Sequence, residues 1–223
     1  MKTGLFGGTF NPFHKGHIRI IEHVRDSLGF DRIFIIPSAT PPHKPNLNLA
    51  PAQLRYHMVS ESLKDRQGLI ASDKEIIRGG SSFTIDTIRS FKESFSNNAD
   101  IFFIMGSDAF LDINTWSRKD RIFFEVKIVI MLRPLSQDIG SLISFVKESI
   151  SEGYQYKDSD QKKSGQSFIH QTRQPIYICK VPEIDISSTM IRERISHGKS
   201  VRDLVPPNVL STIQANRLYK GIV

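Results

Sequence analysis

The chain has one cysteine in 223 residues, Cys179. An intramolecular disulfide is therefore excluded, and the usage suits a reducing compartment. Long apolar runs are missing as well. The longest, residues 126–132, is strand-sized and contains Lys127, well short of the ~20 residues a membrane-spanning helix needs. The opening MKTGLFGGTF has no apolar stretch of signal-peptide length. The expectation is a cytoplasmic protein without a membrane partner. Two phosphate-binding fingerprints are also absent. Gly4, Gly7 and Gly8 do not make GxGxxG, and Gly198-Lys199-Ser200 imitates the end of a P-loop with Glu193 where its first glycine belongs. Positive charge is plentiful but unclustered. The formal net charge is +7 and the pI about 9.5, yet no basic helix and no aromatic strand pattern of an RNA-binding sheet is present. By charge alone the surplus can serve nucleic acid, an anionic membrane or small polyanionic substrates; once the motifs below are read, no nucleic acid is expected as partner.

The hydrophobic fraction is 39% and the charged fraction 24%, ordinary for a globular protein. The length fits one α/β domain over 1–223 with no internal repeat. Short apolar runs at 2–6, 32–36, 101–105, 126–132 and 176–181 read as strands, the middle ones of the kind buried on both faces in parallel sheets. Helical spacing marks 16–28, 52–63 and 139–150, and two closing helices within 188–217. In 52–63 the expected buried stripe is Leu54, Met58, Val59 and Leu63. This alternation predicts an α/β fold with a doubly wound, Rossmann-like parallel sheet and ligands at the carboxyl ends of its strands. Residues 153–174 are polar without periodicity and are expected to form a mobile loop.

The most informative segment runs Gly7-Gly8-Thr9-Phe10-Asn11-Pro12-Phe13-His14-Lys15-Gly16-His17. Two glycines after a first strand let backbone come close to a ligand and present its N–H groups. His14 and His17 bracket the start of a helix, whose free N–H donors and positive dipole end suit phosphate. Gly16 between them is expected to leave room for a nucleotide against the backbone. Near the other end, Ile186-Ser187-Ser188-Thr189-Met190-Ile191-Arg192 reads as a helix opening on hydroxyl caps with an arginine one turn in. Such a helix end can hold phosphates, with Arg192 as charged clamp.

These two segments resemble the HxGH and ISSTxIR motifs of the nucleotidyltransferase superfamily, whose fold is shared with class I aminoacyl-tRNA synthetases. With the motifs in its middle, essentially the whole chain resembles the bacterial nicotinate mononucleotide adenylyltransferases. Pro37-Ser38-Ala39-Thr40-Pro41-Pro42-His43-Lys44 is similar to PxxxPPHK, and Arg55 with Met58 matches RxxM. The segment 80–88 resembles GxSYTxxTL, with Phe83 for the usual tyrosine and Ile88 for leucine. Gly106-Ser107-Asp108 is similar to GxD, Trp116 stands where the family has its stacking aromatic, and Arg133-Pro134 matches a further motif. Asn11 replaces the aspartate of many relatives.

The resemblance implies transfer of the adenylate of ATP to nicotinate mononucleotide, giving deamido-NAD and pyrophosphate for NAD biosynthesis. It assigns catalysis to His14, His17 and Arg192. Around ATP it places Gly7, Gly8, Thr9, Phe10, Gly16, Gly106, Asp108, Ile186, Ser188 and Thr189. Around the mononucleotide it places Lys44, Ser82, Thr84, Trp116 and Arg133. No protein metal site is implied, and Mg2+ is expected through the substrate phosphates. The alternatives are pantetheine-phosphate adenylyltransferase, which usually has threonine in place of His14, a cytidylyltransferase, which needs neither the PPHK loop nor Trp116, and a non-catalytic nucleotide- or tRNA-binding relative. The choice between nicotinate and nicotinamide stays open at this point, and a homo-oligomer is compatible with the sequence.

Overall fold

The computed structural model describes residues 1–41, 49–95, 99–133, 138–158 and 165–221. Its elements are β1 (Lys2–Gly8), α1 (Lys15–Leu28), β2 (Arg32–Pro37), α2 (Ala52–Leu63), β3 (Leu69–Ala71), α3 (Lys74–Arg78), α4 (Thr84–Ser94), β4 (Asp100–Gly106), α5 (Ser107–Leu111), α6 (Lys119–Glu125), β5 (Lys127–Leu132), α7 (Ile139–Phe145), β6 (Gln155–Lys157), β7 (Gln166–Ile169), β8 (Ile176–Lys180), α8 (Ser188–Ser196) and α9 (Pro207–Ala215). The strands form one sheet in the order β3-β2-β1-β4-β5-β8-β7-β6. Pairs β1–β4, β4–β5 and β5–β8 are parallel, with Ile104 opposite Val129 and Ile130 opposite Ile178. The order runs one way from β1 to β3 and the other way from β1 to β8, the reversal that defines a doubly wound sheet.

Three expectations need correction. The stretch 153–174 contains β6 and β7, an antiparallel pair that continues antiparallel onto β8. Few apolar residues are needed there, because an edge hairpin draws its order from ladder hydrogen bonds and from isolated anchors such as Tyr154 and Phe168, both buried. Residues 159–164 of that stretch lie outside the described residues. The helix expected over 139–150 is α-helical only through Phe145 and finishes as a π-helical turn, Val146–Ile150. In α2 the buried residues are Arg55, Met58, Val59 and Leu63. A charged residue takes the core place expected for Leu54.

The chain divides into two compact units, each assembled from separate stretches. One holds Met1–Phe6, His23–Ile33 and Phe83–Glu183. Its core is the centre of the sheet, where Ile104, Ile128, Val129, Ile130 and Ile176 are buried, as parallel strands covered on both faces require. The other holds Gly7–Glu22, Phe34–Ser82 and Ile184–Val223. There Ala50, Met58, Ile191, Val201, Val205, Val209, Ile213 and Tyr219 make one apolar cluster that gathers α2, α8 and α9. Pro207 opens α9 at a position where a missing N–H costs nothing.

Candidate active site

The turn after β1 lies in the second unit. Phe10 has φ of 48°, and the Asn11–Pro12 peptide is cis. Phe10 and Phe13 bury their rings and meet edge-on at 5.5 Å. The His17 ring stacks on Phe13 at 5.3 Å and on His14 at 3.6 Å between centroids.

The two histidines are tied to each other through the main chain. The His14 N–H donates to His17 Nδ1 at 3.2 Å, and the His17 N–H donates to His14 Nδ1 at 3.3 Å. A backbone N–H is always a donor, so both Nδ1 atoms act as acceptors. In a neutral ring bonded this way the proton is carried on Nε2. The place of Gly16 follows from the same arrangement. A Cβ there would lie 3.0 Å from His14 Nδ1 and 3.1 Å from its Cε1. The space that a side chain at this position would need is taken by the His14 ring. Gly8 likewise lies under the Phe10 ring, 2.7 Å from where its Cβ would stand.

Helix α8 reaches the same turn. Ser187 caps it by accepting from the Met190 N–H. The Ser188 hydroxyl donates to the Pro12 carbonyl at 2.9 Å, and Arg192 Nη1 donates to the Asn11 carbonyl at 2.9 Å. Arg192 Nη2 also donates to Thr189 Oγ1 at 3.2 Å. His14, His17, Ser188, Thr189 and Arg192 are thus brought together. Ile186 turns its side chain towards the apolar cluster, and its N–H donates to the Ile184 carbonyl.

Three residues without an assigned role hold this assembly. Asn11 Oδ1 accepts from the Ala50 N–H at 3.0 Å and from Tyr219 Oη at 2.8 Å. Burial pushes the Tyr219 phenol above its usual range, although Arg192 and Arg55 pull the other way. Arg55 is fully buried. Its Nε donates to the Ala50 carbonyl at 2.9 Å, Nη1 to Thr9 at 2.8 Å and Nη2 to Ala39 at 3.0 Å. Each bond from a charged donor contributes about 1.5–3 kcal/mol, which offsets the desolvation that lowers the guanidinium pKa. The only sequence signal for Arg55 is its place in RxxM, and Tyr219 has none. In the same unit, Ser82 Oγ accepts from the Ala39 N–H at 2.9 Å. Lys44 lies outside the described residues.

The first unit carries the remaining expected residues. Gly106 ends β4 and precedes α5, in which Asp108 is exposed. A Cβ on Gly106 would fall 2.3 Å from Asp108 Oδ1, so glycine there lets the carboxylate fold back over the strand end. Trp116 is half-buried and meets Phe103 edge-on at 6.2 Å. Thr84 opens α4, and Arg133 follows β5 with its side chain exposed. An ion pair that the sequence did not announce joins Arg118 to Asp86 at 2.6 Å.

Among the described residues, no helix is long and apolar enough to cross a membrane, and no group of His, Cys, Asp or Glu is placed to hold a metal ion.

The cytidylyltransferase-like family model matches residues 5–194. A protein of Geotalea uraniireducens named "Probable nicotinate-nucleotide adenylyltransferase" is 36% identical over 219 residues, 98% of either chain. A protein of the same name from Geobacter sulfurreducens is 37% identical over 219 residues, again 98% of either chain. Among solved structures, Plasmodium falciparum nicotinic acid mononucleotide adenylyltransferase complexed with NaAD aligns with a TM-score of 0.72, covering 98% of this chain and 97% of that one. Its identity is 17%, so it speaks for the fold.

Proposed function

The chain belongs to the cytidylyltransferase-like family and, by full-length likeness, to its nicotinate-nucleotide adenylyltransferases, and we propose on that premise how its residues join nicotinate mononucleotide to the adenylate of ATP. The observation that carries the proposal is the bond from Arg192 to the Asn11 carbonyl, which puts the late guanidinium on the turn that holds both early imidazoles.

The 5′-phosphate of the mononucleotide attacks the α-phosphorus of ATP in line, and pyrophosphate leaves with the electrons of the broken P–O bond. That nucleophile is already ionised near neutral pH, so no general base is needed. The protein's part is positioning and charge neutralisation. The Nε2–H donors of His14 and His17 meet the charge that builds on the phosphate oxygens. Arg192 has further N–H groups for the leaving pyrophosphate. Thr189 accepts from Arg192 and keeps its hydroxyl proton for a phosphate oxygen, and the Ser188 hydroxyl joins it once released from Pro12. Gly7, Gly8, Thr9, Phe10 and Gly16 shape the turn against the triphosphate, and Ile186 supports α8 from the apolar side. Gly106 and Asp108 take the adenosine ribose. Lys44, Ser82, Thr84, Trp116 and Arg133 serve the mononucleotide, with Trp116 on the pyridine ring.

The donors around the histidine turn are N–H groups and a guanidinium, which suit phosphate oxygens rather than a bare cation. Mg2+ therefore enters as part of the ATP substrate and keeps most of its waters.

The test is pyrophosphate release from ATP with nicotinate mononucleotide, nicotinamide mononucleotide and phosphopantetheine in parallel, and from CTP. The expected result is turnover with ATP and nicotinate mononucleotide. Turnover only with phosphopantetheine or CTP moves the chain to a rival activity, and tRNA binding without pyrophosphate release makes it a non-catalytic relative.

A further inference from the structure

Arg55 places a permanent charge inside the second unit and directs its N–H groups at main-chain carbonyls from three separate stretches. Nη1 holds Thr9, in the turn assigned to ATP, and Nη2 holds Ala39, in the loop after β2. Nε is anchored on Ala50, just before α2. Ala39 is also held through its N–H, which donates to Ser82 Oγ, and the Ser82 N–H donates to the Thr40 carbonyl at 3.1 Å. A short chain of bonds thus runs Thr9–Arg55–Ala39–Ser82, from the ATP turn to a residue assigned to the mononucleotide. Guanidinium is a planar, rigid fork, so shifting one of its carbonyls turns the donor aimed at the other. The loop between also holds the buried Ser38 Oγ, which has no hydrogen-bond partner among the described residues. A buried hydroxyl in that state is costly, and a small movement of the loop can relieve the cost.

We infer that Arg55 is a positioning residue that couples the two substrates: ATP in the turn fixes the Thr9 carbonyl, and the fork then sets Ala39 and Ser82 for the mononucleotide. The inference rests on the proposed assignment of the turn to ATP and of Ser82 to the mononucleotide. By linkage the effect is reciprocal, each substrate tightening the other by the same factor.

The experiment is calorimetric titration of nicotinate mononucleotide into the full chain, with and without a saturating ATP analogue carrying a methylene between the α- and β-phosphates. The wild type should bind at least about fivefold more tightly with the analogue present, the lower end of ordinary coupling. Arg55→Lys keeps the charge and removes the fork. It should melt cooperatively, bind each ligand alone within about threefold of wild type, and show a coupling factor below about twofold, a ratio that a merely structural role would leave unchanged. A wild-type coupling factor retained in Arg55→Lys, or no coupling in the wild type, overturns the inference while leaving the activity in place. Absence of nicotinate mononucleotide binding under both conditions removes the functional reading and the inference with it. A second measurement does not depend on the variant folding. Hydrogen exchange of the Ala39 amide in the wild type should slow when the ATP analogue alone is added, and unchanged exchange counts against the coupling.

Discussion

The turn after β1 and the segment after β4 both leave the sheet at the carboxyl end of a parallel strand, yet they are finished to different degrees. In the first, His14 and His17 accept each other's backbone N–H, Arg192 is fastened to Asn11, and Arg55 secures Thr9. In the second, the Asp108 carboxylate is exposed and the Trp116 ring is half-exposed with an edge contact to Phe103. Donors that meet developing charge act best when oriented beforehand, because nothing then reorganises during the reaction. A ring that recognises a flat substrate has to keep a face available. On the proposed assignments, the first region would serve rate and the second selection.

Substitutions can break that division. The largest effect is expected for His17→Ala, which removes a donor proposed to meet the charge of the transition state and should lower kcat by about 10²–10³-fold with little change in KM. A fall confined to KM would erase the contrast between the regions. Gly16→Ala comes next. Its Cβ would press on the His14 ring at 3.0 Å, and displacement by a fraction of an ångström should lower kcat on the order of tenfold. Normal kcat in that variant would show that the His14 position is not critical. Trp116→Ala should raise the Kd for the mononucleotide about fivefold, the scale of one lost aromatic contact, and leave ATP binding nearly unchanged. Equal weakening of both ligands would make Trp116 a structural residue.

The smallest effect concerns pH and both units together. Burial raises the Cys179 thiol from 9.0 to about 11 and pushes Tyr154 and Tyr219 above their ordinary 10.0. These groups ionise more readily in the unfolded chain, so their contribution is intact below pH 9 and declines as pH rises above it. The urea midpoint should fall progressively above pH 9, and substituting Cys179 by alanine should soften the fall between 9 and 11. A midpoint that rises over that interval would reverse the sign and contradict the burial of these groups.

Much of the sheet was legible because β4, β5 and β8 are apolar runs buried on both faces, a pattern that needs no knowledge of their neighbours. The β6–β7 hairpin was not, because its order comes from pairing rather than from apolar periodicity. In α2 the expected stripe failed at one position: Arg55 is buried where Leu54 was expected. At the candidate site, His14, His17 and Arg192 were identifiable from residue type and spacing. The bonds between the two histidines, and the packing of the His14 ring over Gly16, were not, since both depend on the path of the backbone through Phe10, Asn11 and Pro12.

What the sequence by itself determined is whatever local backbone geometry dictates: strand and helix periods, the hydroxyl cap of α8, and the presence of imidazole and guanidinium in recognisable settings. Only the tertiary structure decided that Arg192 meets the carbonyl of Asn11, 181 residues earlier in the chain, and that a buried arginine is tolerated because the Thr9 and Ala39 carbonyls, with the nearby Ala50 carbonyl, take the place of water. The physical reason is the same for both. A charged group removed from solvent is stabilised by whichever dipoles surround it, and those dipoles come from residues that only the folded chain makes neighbours.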